Sequence, residues 1–510
     1  MLPRSRTLPL AALAAALLVP LSPVANAKPP KCVGKVAADE WPTFGRDLQN
    51  SRHQQSPGGI GKASAPTLAK AWSFQTGAPG TGTADLNGTP IVAAGCVFLN
   101  TAAGDVIALD AATGAQLWRT HVPLAEGTTA GLGGEFVSSP ALAGDYVVAL
   151  VSQSGSPYAI ALSRRDGSVA WRSEPLRSGA GYYTNATPVV YDGLVLAGYS
   201  PAEGDPTGRG GVAIIDAATG AVLKRADVVP DDAYAQGYAG AGVWTAPAID
   251  TRNGYAYVGT GNPYSKKIEH PYTDAIVKLD VRRDRATFGT YVGGMKGNVE
   301  QYDPAARELV DPVCEAAGDD PNLQLIVGDS APCLQLDLDF GAPPNLFTAP
   351  DGRLLIGDLQ KSGVYHVADA TTMAKEWSAV VGVSCAVCNA AATAWDRNGA
   401  LYGVSSPADN AFSLTNAGAT RWLSPVADGT HYQSTTSAGG AVFTLSNTGE
   451  LVAFDAATGV PLLRRPMALD LADPSQVPAA LSSSGIAVAS GTLYVAAGNA
   501  VIAYRPGAVL

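Results

Sequence analysis

Short apolar runs alternate with turns of Asp, Thr and Gly along almost the whole chain. Ile107-Ala108-Leu109 leads into Asp110-Ala111-Ala112-Thr113-Gly114 and then into a second strand carrying Trp118. The phrase returns as Ala161–Trp171, Ala213–Lys224, Val277–Phe288, Tyr365–Trp377, Phe412–Trp422 and Val452–Leu463. Gly supplies the positive φ of a tight hairpin turn, and the Asp side chain bonds its own backbone across that turn. One such hairpin cannot bury its own apolar face, so neighbouring units must pack together. Self-similarity at roughly 40 to 50 residues marks an array or a propeller.

The large side chain on the second strand serves as a ruler: Trp118, Trp171, Lys224, Phe288, Trp377, Trp422 and Leu463. Further strand pairs, such as Thr89–Asn100 and Ala246–Gly259, bring each unit to about four strands, the size of a blade. An eighth unit is split between the ends. Thr492–Tyr504 supplies strands without a following Trp strand, and Lys70–Thr76 supplies one, with Trp72 in the ruler position. The prediction is an all-β, eight-bladed β-propeller of four-stranded blades, closed by pairing of N- and C-terminal strands. An open solenoid would leave those complementary end fragments unexplained. The widest gap, between Phe288 and Trp377, contains Gly293–Asn345, expected to run as an excursion over one face of the ring.

Residues 1–27 read as an export signal, with Arg4 and Arg6 ahead of an apolar core from Leu8 to Leu21 and Ala25-Asn26-Ala27 as cleavage site. The expectation is a secreted or periplasmic protein with one propeller domain over 28–510. No later apolar run is long enough for a membrane span. The 34 basic and 44 acidic residues give −10, and loss of Arg4 and Arg6 with the signal takes this to −12. That balance argues against nucleic acid as a partner. Six cysteines in an oxidising compartment favour disulfides, with fifteen pairings open. Cys314 with Cys333 would tie down the excursion, Cys385 with Cys388 would close a small loop, and Cys32 with Cys96 is the remainder. Asn389 stands where a haem attachment site after Cys385-Ala-Val-Cys388 needs His. A nucleophile elbow, zincin helix, phosphate loop and dinucleotide fingerprint are all missing from the sequence. The five histidines, His53, His121, His270, His366 and His431, show no metal-ligand spacing.

The repeats resemble those of the quinoprotein alcohol dehydrogenases, eight-bladed propellers that bind pyrroloquinoline quinone (PQQ). Trp41-Pro42-Thr43-Phe44-Gly45-Arg46-Asp47, Leu338–Phe347 and Lys361-Ser362-Gly363-Val364-Tyr365-His366 are most similar to the polyvinyl-alcohol-dehydrogenase-like branch. The resemblance implies an exported dehydrogenase that oxidises an alcohol-bearing substrate to a carbonyl, with PQQ and calcium. With no cytochrome sequence alongside the repeats, it also implies an external electron acceptor such as a cytochrome or quinone. Residue by residue, Trp244 in Gly240-Ala241-Gly242-Val243-Trp244 is similar to the aromatic floor beneath the cofactor. Asn262 in Gly259-Thr260-Gly261-Asn262-Pro263 resembles a calcium ligand, as does Glu203 ahead of Arg209-Gly210-Gly211-Val212. Asp339 resembles the base beside the metal, and Lys361 the cation that bonds the quinone oxygens. Read without the resemblance, these are an ordinary blade Trp, a turn Asn and two solvated loop charges. The family's adjacent cysteine pair is replaced by Asp205-Pro206-Thr207-Gly208. The alternative is a non-catalytic propeller acting as a binding or scaffold protein.

Overall fold

An Asp at the end of one strand and a Gly four residues on bend the backbone back on itself, and every full copy of the phrase does so in the computed structural model. The Asp110 carboxylate accepts the amides of Ala112 at 3.1 Å and Thr113 at 2.9 Å, and Gly114 takes φ +73°. The structure describes residues 32–77, 86, 88–122, 139–264, 270–298, 338–384, 389–405, 410–426, 433–473 and 485–507, with the backbone of two short strands at 301–303 and 308–310. Residues 31–510 cluster as one unit. The expected signal, Cys314, Cys333, Cys385, Cys388 and His431 lie outside the described residues.

Eight antiparallel blades of four strands follow one another, the seventh extended by a short parallel strand, His53–Gln54. Blade 1 runs Ile91–Ala93, Cys96–Asn100, Asp105–Asp110 and Gln116–His121. Blades 2 to 4 begin at Ala141–Ala143, Val189–Tyr191 and Ala248–Asp250, and end at Val169–Arg172, Val222–Asp227 and Tyr291–Lys296. Blades 5 to 7 begin at Asn345–Thr348, Ala394–Trp395 and Thr436–Ala438, and end at Lys375–Val380, Thr420–Pro425 and Pro461–Pro466. In blade 8, Ile486–Ala489, Thr492–Ala497 and Ala500–Pro506 are completed by Leu68–Gln75, which pairs antiparallel with the last of them. This is the closure that the split end fragments predict. The three inner strands of each blade are almost wholly buried, and the outermost alternates, as Gln116–His121 does around buried Trp118.

The ruler residues hold the blades to each other. The indole N–H of Trp72 donates to the Ala111 carbonyl of blade 1, Trp118 to Arg164 of blade 2, and Trp171 to Ala217 of blade 3. Trp422 does the same to Ala456 of blade 7. Each ring lies flat on the turn glycine of its neighbour. A Cβ at Gly114, Gly167, Gly220, Gly418 or Gly459 would sit between 2.5 and 2.8 Å from a Trp ring carbon. The Gly is therefore needed for close approach as well as for its φ.

Phe288 does not take the ruler position assigned to it. The turn of blade 4 is lengthened between Asp280 and Gly289, so Lys278 pairs with Gly293, as Ala108 pairs with Trp118 in blade 1. The missing ring is replaced from the other side. Met373 occupies the turn-glycine position of blade 5 at φ +60° and packs on Gly293. Lys278 Nζ and the Tyr257 hydroxyl take over the bond to the Ala370 carbonyl, at 2.9 and 2.7 Å. Of the span expected as an excursion, residues 293–296 belong to this blade strand and 338–345 lead into blade 5.

The segment 41–54 runs inside the ring along the innermost strands, whose axial edges would otherwise be unpaired. Trp41 exchanges two backbone bonds with Val92 of blade 1. The carbonyls of Leu48, Gln49, Ser51 and Arg52 then accept the amides of Ile249, Leu346, Trp395 and Ser437, in blades 4 to 7. Gln54 reaches the Val488 carbonyl of blade 8 at 2.8 Å. Just ahead of this segment, Cys32 is disulfide-bonded to Cys96 of blade 1.

Candidate active site

Because strands alternate in direction, the turn between second and third strands and the link from one blade to the next emerge at the same end of the ring. The predicted site residues all lie on such connections. Glu203 follows Leu194–Tyr199, Asn262 follows Tyr255–Gly259, and Lys361 follows Leu354–Leu359. Trp244 and Asp339 stand on the links that enter blades 4 and 5. Trp244 is thus a link residue rather than an ordinary strand residue.

Asp339 is where four of them meet. Its Oδ1 accepts the Asn262 backbone amide at 2.7 Å. Its Oδ2 accepts the Trp244 indole N–H at 3.1 Å and faces the Lys361 ammonium at 3.1 Å. Lys361 Nζ also lies 5.4 Å from the Trp244 ring centroid, within cation–π range. Asp339 and Lys361 are both buried, so this pair is neither solvated nor screened like a surface one. The backbone locks the pair again, since the Lys361 amide donates to the Asp339 carbonyl at 2.9 Å. Asn389 fixes the Lys361 carbonyl from blade 6 at 3.1 Å.

Close backbone approach makes this convergence possible. The Ala241 amide donates to the Asn262 carbonyl at 3.0 Å, and the Gly261 amide to the Gly242 carbonyl at 2.9 Å. A Cβ on Gly261 would stand 2.9 Å from Asp339 Oδ1, and one on Gly341 would stand 2.6 Å from the edge of the Trp244 ring. These two glycines give the carboxylate and the indole their room.

Glu203 sits beside this cluster. The residue is exposed, yet its carboxylate end is enclosed, and Oε2 accepts the Tyr264 hydroxyl at 2.8 Å. That enclosure raises the Glu203 pKa. Sequence reasoning missed Tyr264 and Tyr183. Burial, followed by the negative charges of Glu203 and Asp339, pushes the Tyr183 hydroxyl up to about 12, and Tyr264 is driven well above its usual value. Both phenols therefore stay protonated at neutral pH, and Tyr264 acts as a donor to Glu203. Tyr264 stands two residues after Asn262, so the turn motif itself was the available signal.

Behind Asp339, His366 is wholly buried, with Nε2 3.1 Å from Gln360 Oε1 and its ring edge-on to Phe340. Burial lowers its pKa to about 3. Unfolding frees the imidazole to titrate normally, so its contribution to stability is present above about pH 6.5 and is lost as pH falls from there towards 3. Buried Asp358, raised by burial, has the opposite pH dependence. The difference in unfolding free energy between the parent and His366→Gln isolates the histidine. It should shrink by a few kcal/mol (order of magnitude) between pH 7 and pH 3 in denaturant titrations. A difference flat in pH contradicts a neutral buried ring.

Among the described residues no group of three or more His, Cys, Asp or Glu could hold a metal ion, and no helix is long and apolar enough to cross a membrane.

Residues 41–283 match the family described as PQQ: glucose/ethanol/alcohol dehydrogenase, β-propeller domain. A polyvinylalcohol dehydrogenase from Pseudomonas sp. is 26% identical over 365 residues, covering 67% of this chain and 52% of the relative. A second, from Sphingopyxis sp. (strain 113P3), is 26% identical over 472 residues, covering 83% and 66%. The chain thus spans between half and two thirds of the length of these curated relatives. The quinohemoprotein alcohol dehydrogenase structure from Comamonas testosteroni superposes with a TM-score of 0.67 at 18% identity, covering 92% of this chain and 81% of the other. These matches make the chain similar to the PQQ-dependent (quinoprotein) alcohol dehydrogenases over residues 41–283, and its closed ring of eight blades is the fold of the Comamonas testosteroni enzyme.

Proposed function

We propose that the chain is an exported quinoprotein dehydrogenase that oxidises an alcohol group to a carbonyl and passes the electrons to an external acceptor. The observation that carries this reading is the convergence of three donors on the buried Asp339 carboxylate beside a Trp face.

The residues present fit the two groups the family uses. Glu203 and Asp339 offer carboxylate oxygens, and the Asn262 side-chain amide has no hydrogen-bond partner among the described residues. Hard oxygen donors of this kind suit calcium, and a coordination shell of six to eight leaves places for cofactor oxygens. Glu203, Asn262 and Asp339 would hold the ion, and Trp244 would lie under the quinone plane. When bound, PQQ supplies the two-electron acceptor and calcium the Lewis acid that polarises it.

The chain's own residues do the remaining work. Asp339 takes the proton from the alcohol's O–H while hydride leaves the carbon that bears that oxygen, so a C=O bond forms and the substrate loses two electrons and two hydrogens. The indole N–H of Trp244 and the amide of Asn262 fix the carboxylate's orientation for that transfer. Lys361 carries the positive charge that offsets negative charge developing beside it. Tyr264 orients Glu203 through its hydroxyl.

An absorbance titration of the purified protein with PQQ and calcium tests the reading. Stoichiometric, saturable binding followed by dye-coupled oxidation of alcohols is the expected result. A protein that takes up no quinone in the presence of calcium is a scaffold, and the proposal fails.

A further inference from the structure

At the end of the ring opposite Asp339, where first-to-second and third-to-fourth strand turns emerge, a cleft of about 720 Å³ opens between blades 2 and 3 and the N-terminal segment. Its walls are mainly apolar: Val33, Val36, Pro42, Leu48, Leu142 and Val190. That volume is typical of sites for small organic ligands. Two guanidinium groups interrupt the apolar lining, Arg46 and Arg164.

Arg164 is only 3% exposed. Its Nη1 donates to the Gly144 carbonyl at 2.9 Å, while Nε and Nη2 are buried with no hydrogen-bond partner. Its guanidinium carbon lies 6.0 Å from the Phe98 ring centroid, a weak contact for a buried cation. Arg46 bonds the Ala38 carbonyl through Nη2 at 2.7 Å, but its Nε is likewise buried and unpartnered. Among the described residues neither guanidinium has an ion-pair partner. The nearby acids do not fill that role. Glu40 is committed to the amides of Ala37 and Gly95, and Asp47 to Ser51, Gln49 and Arg397. Asp145 lies exposed at the rim.

A buried cation with two unused donors costs free energy unless something accepts from it. Adjacent guanidinium N–H groups match a planar carboxylate, which accepts from two at once. We propose that this cleft binds an amphiphilic monocarboxylate, its head on Arg164 with Arg46 supplying a further donor, and its apolar body along Leu142, Val190, Leu48 and Val36. A single negative charge suits the site better than a dianion, because Asp145 and Asp47 also line it.

Calorimetric titration of the full chain with decanoate, and with decanamide as the uncharged counterpart, decides the matter. Decanoate should bind saturably, and decanamide more weakly by at least about tenfold. Arg164→Gln should weaken decanoate by a similar factor and leave decanamide unchanged. Should Arg164→Gln fail to fold, Arg46→Gln, on a half-exposed loop residue, should still weaken decanoate selectively. Equal binding of the two ligands, no binding of decanoate to the parent, or undiminished decanoate binding by the folded variants each overturns the proposal.

Discussion

Asp339→Asn, reconstituted with PQQ and calcium, should lose dye-coupled alcohol oxidation by a factor on the order of 10² to 10⁴, the usual range for removing a positioned general base. Asn keeps the volume and one carbonyl oxygen, so the Asn262 amide retains an acceptor. It cannot take a proton from an alcohol, and its NH2 group would face both Lys361 and the Trp244 indole, which are donors. Quinone uptake, read by absorbance, should persist, while the melting temperature, read by circular dichroism, should fall because Lys361 loses its buried counter-charge. The pattern of lost turnover with retained binding separates a base from a structural carboxylate. A variant that turns over at parental rates would refute the assignment of Asp339.

Arg52→Met should produce the largest loss of stability of any single change at the axis. Arg52 is completely buried, and burial lowers its pKa to about 9, leaving it charged at neutral pH. The charge has no carboxylate partner among the described residues. Instead its donors reach Thr435 O at 2.7 Å, Phe44 O at 2.9 Å, Thr436 Oγ1 at 3.0 Å, Thr89 Oγ1 at 3.1 Å and Ile486 O at 3.2 Å. The guanidinium carbon also lies 4.7 Å from the Phe44 ring centroid. One side chain therefore ties the axial segment to blades 1, 7 and 8. Met fills the space of the methylenes but takes a donor from five buried acceptors, at about 1 kcal/mol each, although Phe44 O keeps the Trp41 indole N–H and Ile486 O the Thr436 hydroxyl. The expected loss is about 4–5 kcal/mol, a fall of roughly 5 °C in melting temperature for a domain of this size. Arg52→Lys should recover little, since one ammonium cannot span acceptors on three blades. An unchanged melting temperature for Arg52→Met would show that the axial segment does not depend on this residue.

The features that were legible in the sequence are local or periodic. The Asp110 to Gly114 turn writes its own geometry within five residues, and the two incomplete ends announce their pairing because each lacks what the other has. The ruler failed at Phe288 because it assumes constant spacing, and the longer turn between Asp280 and Gly289 breaks that assumption. An aromatic count also cannot see a swap in which Gly293 gives up the large group and Met373 supplies it. At the site, Trp244, Asn262, Asp339 and Lys361 were found through segments that resemble the family, and the structure gathers them around one carboxylate. Tyr183 was invisible, since one Tyr among 19 in a strand-rich chain carries no local sign of facing two acids. The path of residues 41–54 was equally hidden, because its partners are backbone groups spread over six blades and no sequence period encodes them.

The pairing of Leu68–Gln75 with Ala500–Pro506 sets the order of assembly. The strand that seals the circle is made well before its partner, and it has nothing to pair with until the chain has been synthesised past residue 500. Contacts of such sequence separation make folding slow, because loop closure must precede any reward. Through that interval seven sheets stand as an open arc with two bare edges, which are sites for adhesion to other chains. A chain cut short by a single strand near residue 500 would keep those edges for good. Truncation there should therefore yield aggregates rather than a slightly smaller ring.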